Sequence, residues 1–195
     1  MTERVGLGRW LLFWAIALGG AAFDLTTKSA IFAKVGEPPA AAVPVVPGFL
    51  ELQTSLNPGA LWGFGRSLPY SSQIFAGLSI VASLAICYWL FVRGAAASLP
   101  LLIALGLIMA GAMGNCYDRL VFGQVRDFVH LHVDSIRFEC AIFNFADNML
   151  VIGASILVLC ALRPEAIDPV EEAINPEHCP PIAADSASAG PFPRA

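Results

Sequence analysis

Residues 71–119 read SSQIFAGLSIVASLAICYWLFVRGAAASLPLLIALGLIMAGAMGNCYDR, and this stretch decides the fold. It holds two charge-free runs broken only by Arg93. One has its apolar part at Ser71–Val92, the other at Leu99–Tyr117. A bilayer-spanning helix needs about 20 mostly apolar residues, and both runs meet that length. The short linker Arg93-Gly94-Ala95 joins them as an antiparallel helical hairpin. Composition agrees: of 195 residues, 57% are hydrophobic and 13% are charged, and mean hydropathy is +0.70. A soluble domain carries about 25% charged residues. So little charge cannot cover a soluble surface, and it excludes a disordered chain, a coiled coil or a basic nucleic-acid-binding domain.

Two shorter apolar runs flank the hairpin. Trp10–Phe23 stops at Asp24, and Asn148–Leu162 starts just after Asp147. Each reaches spanning length only if its helix takes in a polar end, through Lys28 in one case and from Phe143 in the other. The expectation is an all-α membrane protein with four transmembrane helices, at about 10–28, 71–92, 99–119 and 143–162, and a small extracytoplasmic β-rich region. For that region, Phe49-Leu50-Glu51-Leu52-Gln53-Thr54 alternates as a strand does. The segment 120–142, rich in Val, Phe and His, reads as strand or interfacial structure.

The first run has a competitor. Arg4 and Arg9, then Trp10–Leu18, then Gly19-Gly20-Ala21-Ala22 also reads as a cleavable secretory signal; the Asp24/Lys28 pair favours a retained helix. Four spans put both termini on one side. Arg4, Arg9, Arg93, Arg163 and Arg194 stand against Lys28, Lys34, Arg66, Arg119, Arg126 and Arg137, so the positive-inside rule does not decide. Both termini are assigned to the cytoplasm. An integral membrane domain spans 1–163, and 164–195 reads as a disordered Pro/Ala-rich acidic tail. That tail holds Glu165, Asp168, Glu171, Glu172, Glu177 and Asp185 against Arg194 alone, so the net charge of −4 comes from it. The five cysteines are odd in number and no C-x-x-C occurs, which gives no disulfide framework. A Cys116–Cys140 pair stays open.

The polar residues at the helix ends carry the chemistry. In Gly114-Asn115-Cys116-Tyr117-Asp118-Arg119, residues Asn115, Asp118 and Arg119 share one helical face and are expected to face inward and bond one another. Asp127 lies in the apolar stretch Val125-Arg126-Asp127-Phe128-Val129. In Phe143-Asn144-Phe145-Ala146-Asp147-Asn148, Asn144 and Asp147 have the spacing of a helix-capping pair. Carboxylates at membrane depth are costly and mark function by default. If Asp127 and Asp147 converge, they cannot both ionise easily and will share a proton. The ionised member then activates water while the protonated one polarises a carbonyl. The turn Asn57-Pro58-Gly59 offers a side-chain hydrogen bond and close backbone approach. Asp24 and Lys28 fit an i, i+4 pair at a helix end.

Together, Asp24-x-x-x-Lys28, Asn57-x-Gly59, Gly114-Asn115-x-x-Asp118-Arg119, Val125-x-Asp127-Phe128 and Phe143-Asn144-x-Ala146-Asp147 resemble lipoprotein signal peptidase, or signal peptidase II, in order and spacing. The resemblance implies an intramembrane aspartic endopeptidase of the bacterial inner membrane. It would remove signal peptides from diacylglyceryl-modified prolipoproteins, cutting before the lipidated cysteine with its active site near the extracytoplasmic face. It makes Asp127 and Asp147 the catalytic pair. Asn57, Gly59, Asn115, Arg119 and Asn144 become substrate-binding or supporting residues, and Asp24, Lys28, Gly114 and Asp118 structural motif positions. It implies no cofactor and no metal. The implied partners are lipid-modified prolipoproteins and membrane lipid, with globomycin as an inhibitor and no nucleic acid. Trp62, Arg126 and Asn148 depart from the family's usual residues, which bears on specificity.

Two alternatives belong to other classes. His130-x-His132-x-Asp134, with both histidines on one side of an extended segment, would suit a metal-dependent membrane hydrolase. Buried acids with an arginine also mark small membrane transporters, and a non-enzymatic assembly factor is a further option. Against transport, the acids cluster near one membrane face and the second helix has essentially no polar residue at its centre.

Overall fold

The computed structural model describes residues 6–60, 64–93 and 98–162. The expected acidic tail, Trp62 and Cys179 lie outside the described residues. The chain folds as α1 (Leu7–Val35), β1 (Val43–Val46), β2 (Leu50–Asn57), α2 (Ser71–Phe91), α3 (Leu99–Phe122), β3 (Val125–Val133), a single 3₁₀ turn (Asp134–Ile136), β4 (Phe138–Glu139) and α4 (Phe145–Ala161). Among the described residues, α1, α2 and α3 are long and apolar enough to cross a membrane, and α4 has 17 residues. This is a helix-rich membrane protein carrying a small antiparallel sheet.

Helix α1 buries one stripe: Phe13, Ala17, Ala21, Asp24, Lys28 and Phe32. The three- and four-residue steps put all six on one face. The charged pair therefore continues an apolar seam inward rather than ending the helix. The helix runs seven residues past Lys28, the end expected from the sequence, because Ser29–Val35 contains no breaker. Gly36 stops it: at φ 102 it adopts a conformation open to glycine, and its N–H donates to the Phe32 carbonyl.

Helix α3 is central and packs against α1, α2 and α4. In lipid, helices associate by close packing rather than by a hydrophobic drive, and small residues set the spacing. A Cβ added at Gly111 would run into the Ala146 carbonyl oxygen of α4. One at Gly114 would lie 2.5 Å from Asp24 Oδ2 of α1. Phe13, Leu90, Leu102, Leu105 and Met109 fill the apolar end of the bundle. There Trp10 stacks on Phe91 at 3.5 Å. Much of α2 is exposed apolar surface, including Leu78, Val81 and Leu84, as a lipid-facing helix requires.

The sheet order is β1-β2-β3-β4, antiparallel throughout. The predicted strand at Phe49–Thr54 is β2, slightly shifted, and 120–142 supplies β3 and β4. Thr54 Oγ1 donates to the Gly36 carbonyl at 2.8 Å, which ties β2 to the end of α1. Cys116 and Cys140 are free; the Cys116 thiol contacts the Ala76 carbonyl instead.

Candidate active site

Asp127 is the third residue of β3, and Asp147 is the third residue of α4. One residue joins them. Asn144 Nδ2 donates to Asp127 Oδ1 at 2.6 Å, and its backbone N–H donates to Asp147 Oδ2 at 3.3 Å. Asn144 is also the N-cap of α4: its Oδ1 accepts the Asp147 N–H at 3.0 Å, completing a reciprocal capping box. The capping pattern and the carboxylate pair are thus the same atoms in two roles.

Two more amides complete the cluster. Asn115 Nδ2 donates to Asp147 Oδ1 at 2.9 Å, and Asn115 Oδ1 accepts from Lys28 Nζ at 2.9 Å and from Asn144 Nδ2 at 3.2 Å. Asn57, at the end of β2, donates to Asp127 Oδ2 at 3.2 Å while its Oδ1 accepts the Gly59 N–H at 2.9 Å. Each Asp127 oxygen therefore receives an amide N–H. Burial nevertheless pushes its carboxyl up to about 7, with the Asp147 charge adding to the rise and the Asn144 and Asn57 amides opposing it.

Arg119 and Asp118 part company, contrary to the expectation that they bond each other. Arg119 donates to the Gly59 carbonyl at 2.8 Å and to the Asn115 carbonyl at 3.3 Å, and lies over the Phe75 ring. It thus holds the Asn57–Gly59 turn against α3. Asp118 turns the other way, to Lys28 at 3.3 Å and to Arg126 at 2.8 Å. Lys28 also meets Asp24 at 2.7 Å, and Asp24 Oδ1 accepts the Ala146 N–H at 2.9 Å. Asp24, Lys28, Asp118 and Arg126 form a buried chain of alternating charge beneath the aspartates. Arg126 is in this chain and packs over Phe122 at 4.3 Å; its side chain is engaged there and not with Asp127, next to it in sequence.

Two cavities adjoin the pair. One of about 320 Å³, mostly apolar, is lined by Phe75, Leu78, Ala82, Ile108, Leu150 and Asp147, with Asn115 and Arg119 at its polar end. The other, of about 150 Å³, is lined by Ser55, Asn57, Arg66, Asp127 and Ile142. Each aspartate therefore faces a different cavity.

A family model described as signal peptidase (SPase) II matches residues 16–163. The chain belongs to the signal peptidase II family. Among its relatives, the lipoprotein signal peptidase of Rhodopirellula baltica is 37% identical over 77% of this chain and 71% of its own length. That of Staphylococcus aureus strain JH9 is 32% identical over 84% of this chain and 93% of its own. Two solved bacterial membrane enzymes obtained by the in meso method share the fold at TM-score 0.68. One is 27% identical and covers 92% of this chain and 98% of its own; the other is 29% identical and covers 84% and 98%. This signal peptidase II family member is thus a protease and a multi-pass membrane protein.

Sequence reasoning did not single out Ser71 and Phe75. Ser71 Oγ donates to the Pro58 carbonyl at 2.9 Å, and Phe75 lies under Arg119. Both sit in the first turns of α2, and a serine pair opening an apolar run was the available signal. His130 and His132 do not join the aspartates: His130 meets Glu51 and Glu139.

Proposed function

We propose that Asp127 and Asp147 are the catalytic pair of a lipoprotein signal peptidase, which removes the signal peptide from prolipoproteins by cutting before the lipidated cysteine. The observation that carries this is Asn144, hydrogen-bonded to both carboxylates at once. An Asp127 carboxyl raised to about 7 means that the pair holds one proton near neutral pH. The ionised member takes a proton from water, whose oxygen adds to the scissile carbonyl carbon. The protonated member donates to the carbonyl oxygen. The tetrahedral intermediate then collapses, and the leaving amine departs with a proton returned from the pair. Asn57, Asn115 and Asn144 hold the carboxylates in place, and Arg119 holds the Gly59 turn beside them.

The larger cavity is apolar and suits the acyl chains of the diacylglyceryl group, and the smaller one suits polypeptide next to the cut. Membrane lipid and the cyclic peptide globomycin would compete for the same apolar space. Helix α4 is the fourth span, about 26 Å long at 1.5 Å per residue. Its N-terminus, the sheet and the aspartates lie at the extracytoplasmic face of the bacterial inner membrane, with both chain termini in the cytoplasm. The peptidase unit is residues 1–163, and 164–195 is an appended tail.

Cleavage of a lipidated prolipoprotein by Asp127→Asn and Asp147→Asn tests the assignment. Each variant should insert normally and lose turnover. Near-normal turnover by either one overturns it.

A further inference from the structure

A second cluster of titratable side chains lies on the sheet. Glu51 stands opposite His130 in the β2–β3 register, and Glu139 stands opposite His132 in the β3–β4 register. Cross-strand partners share a face, and so do His130 and His132, two residues apart. One ligand atom from each of Glu51, His130 and His132 falls within 4.8 Å of the other two. The imidazole centroids are 5.4 Å apart, and all four side chains line a cavity of about 330 Å³.

His130 is the pivot. Its Nδ1 is 2.7 Å from Glu51 Oε1, and its Nε2 is 3.3 Å from Glu139 Oε1. A neutral imidazole has one N–H and one lone pair, so it can satisfy only one of these carboxylates. With the N–H at Nε2 directed to Glu139, the Nδ1 lone pair and Glu51 Oε1 lie 2.7 Å apart as two donor atoms that one cation can share. A divalent metal ion there has a third donor within reach in His132, on the same face of β3. Zinc with bonds of about 2.0–2.2 Å places neighbouring tetrahedral ligands roughly 3.3 Å apart, and the donor atoms of Glu51, His130 and His132, all within 4.8 Å of one another, need only small side-chain shifts to meet this. Glu139 is exposed and Glu51 is partly so, which leaves an ion a way in and lets the carboxylates adjust.

We propose that Glu51, His130 and His132 form a zinc-class divalent metal site, with Glu139 orienting His130 as an outer partner, and that this site staples β2 to β3 and takes no part in hydrolysis. β4 is only two residues long, so few backbone bonds hold it to β3. A His130 ring fixed by the metal would give Glu139 of β4 a firm partner on β3. The site uses residues outside the Asp127/Asp147 cluster, and its test reads binding rather than cleavage, so the two assignments stand or fall separately.

The full-length protein in detergent, stripped with chelator, would be titrated with zinc chloride by calorimetry and with cobalt chloride by visible absorption. One equivalent per chain and a tetrahedral cobalt band are expected. His130→Ala and His132→Ala should each weaken binding by roughly 100-fold or more, beyond the 10–100-fold typical of an outer partner. Glu139→Gln, at an exposed position that leaves folding intact, should weaken it about tenfold, below the cost of an imidazole. Asp127→Asn should bind as the wild type does. No binding at millimolar zinc would overturn the site and leave charge balance to a proton or to Arg137, which lines the same cavity. So would unchanged binding in both His132→Ala and Glu139→Gln, or binding lost in Asp127→Asn.

Discussion

Replacing Asn144 separates its two jobs. Serine caps a helix about as well as asparagine does, but its short hydroxyl cannot reach Asp127, 2.6 Å beyond the amide nitrogen. Asn144→Ser should therefore keep the start of α4 and lose the Asp127 hydrogen bond, while Asn144→Ala loses both. The cap is worth about 0.5–2 kcal/mol, so Asn144→Ala should melt lower than Asn144→Ser by roughly that amount. The bond to Asp127 is charge-assisted and worth about 1.5–3 kcal/mol. At 1.36 kcal/mol per pKa unit, its loss raises the Asp127 carboxyl by about 1–2 units above its value of about 7. The sign is fixed, because the Asn144 amide stabilises the ionised form. The assay is cleavage of a lipidated prolipoprotein across pH, paired with thermal denaturation in detergent. The alkaline limb of the rate profile should move to higher pH in both variants, with a lower maximum. An unmoved limb in Asn144→Ser, with turnover intact, would refute the role given to Asn144. Equal melting temperatures for the two variants would refute the division between cap and carboxylate.

The wild-type profile itself should fall on the alkaline side from about pH 7, as the shared proton leaves Asp127 and both carboxylates become ionised; a rate still rising above pH 9 would contradict this. Lys28→Ala leaves Asp24 buried without its cation and removes a donor from Asn115, so thermal or denaturant melting should show a loss of about 3–5 kcal/mol. Gly111→Ala forces a Cβ into the Ala146 backbone at the start of α4 and should cost about 1–3 kcal/mol together with activity. Gly19→Ala, which has nothing within 4 Å, should be neutral in both measurements.

The hairpin was legible because length and charge-free composition settle a span before any tertiary contact is known. So was the capping pattern at Asn144 and Asp147, which is local. The end of α1 was not legible, because Lys28 looked like the water-facing end of an apolar run. Its partners Asp118 and Asn115 lie far away in sequence, and only the folded bundle brings them to it. Sharing a helical face also proved too coarse for Asp118 and Arg119. One residue of helix turns the side chain by about 100°, enough to send Asp118 toward α1 and Arg119 toward the Gly59 turn. The partners of Arg126 and Glu51 were not legible, because their contacts follow from the turn between α3 and β3, the approach of α1 and the strand register.

The buried charge chain has a bearing on how this protein reaches its membrane. Asp24 and Lys28 belong to α1, and Asp118 and Arg126 lie eight residues apart at the end of α3 and the start of β3. Each segment brings its own counter-ion. The insertion machinery therefore handles, in each segment, an acid with a base close by rather than a lone buried acid, which is costly in lipid. The Lys28–Asp118 contact, at 3.3 Å, joins one piece to the other.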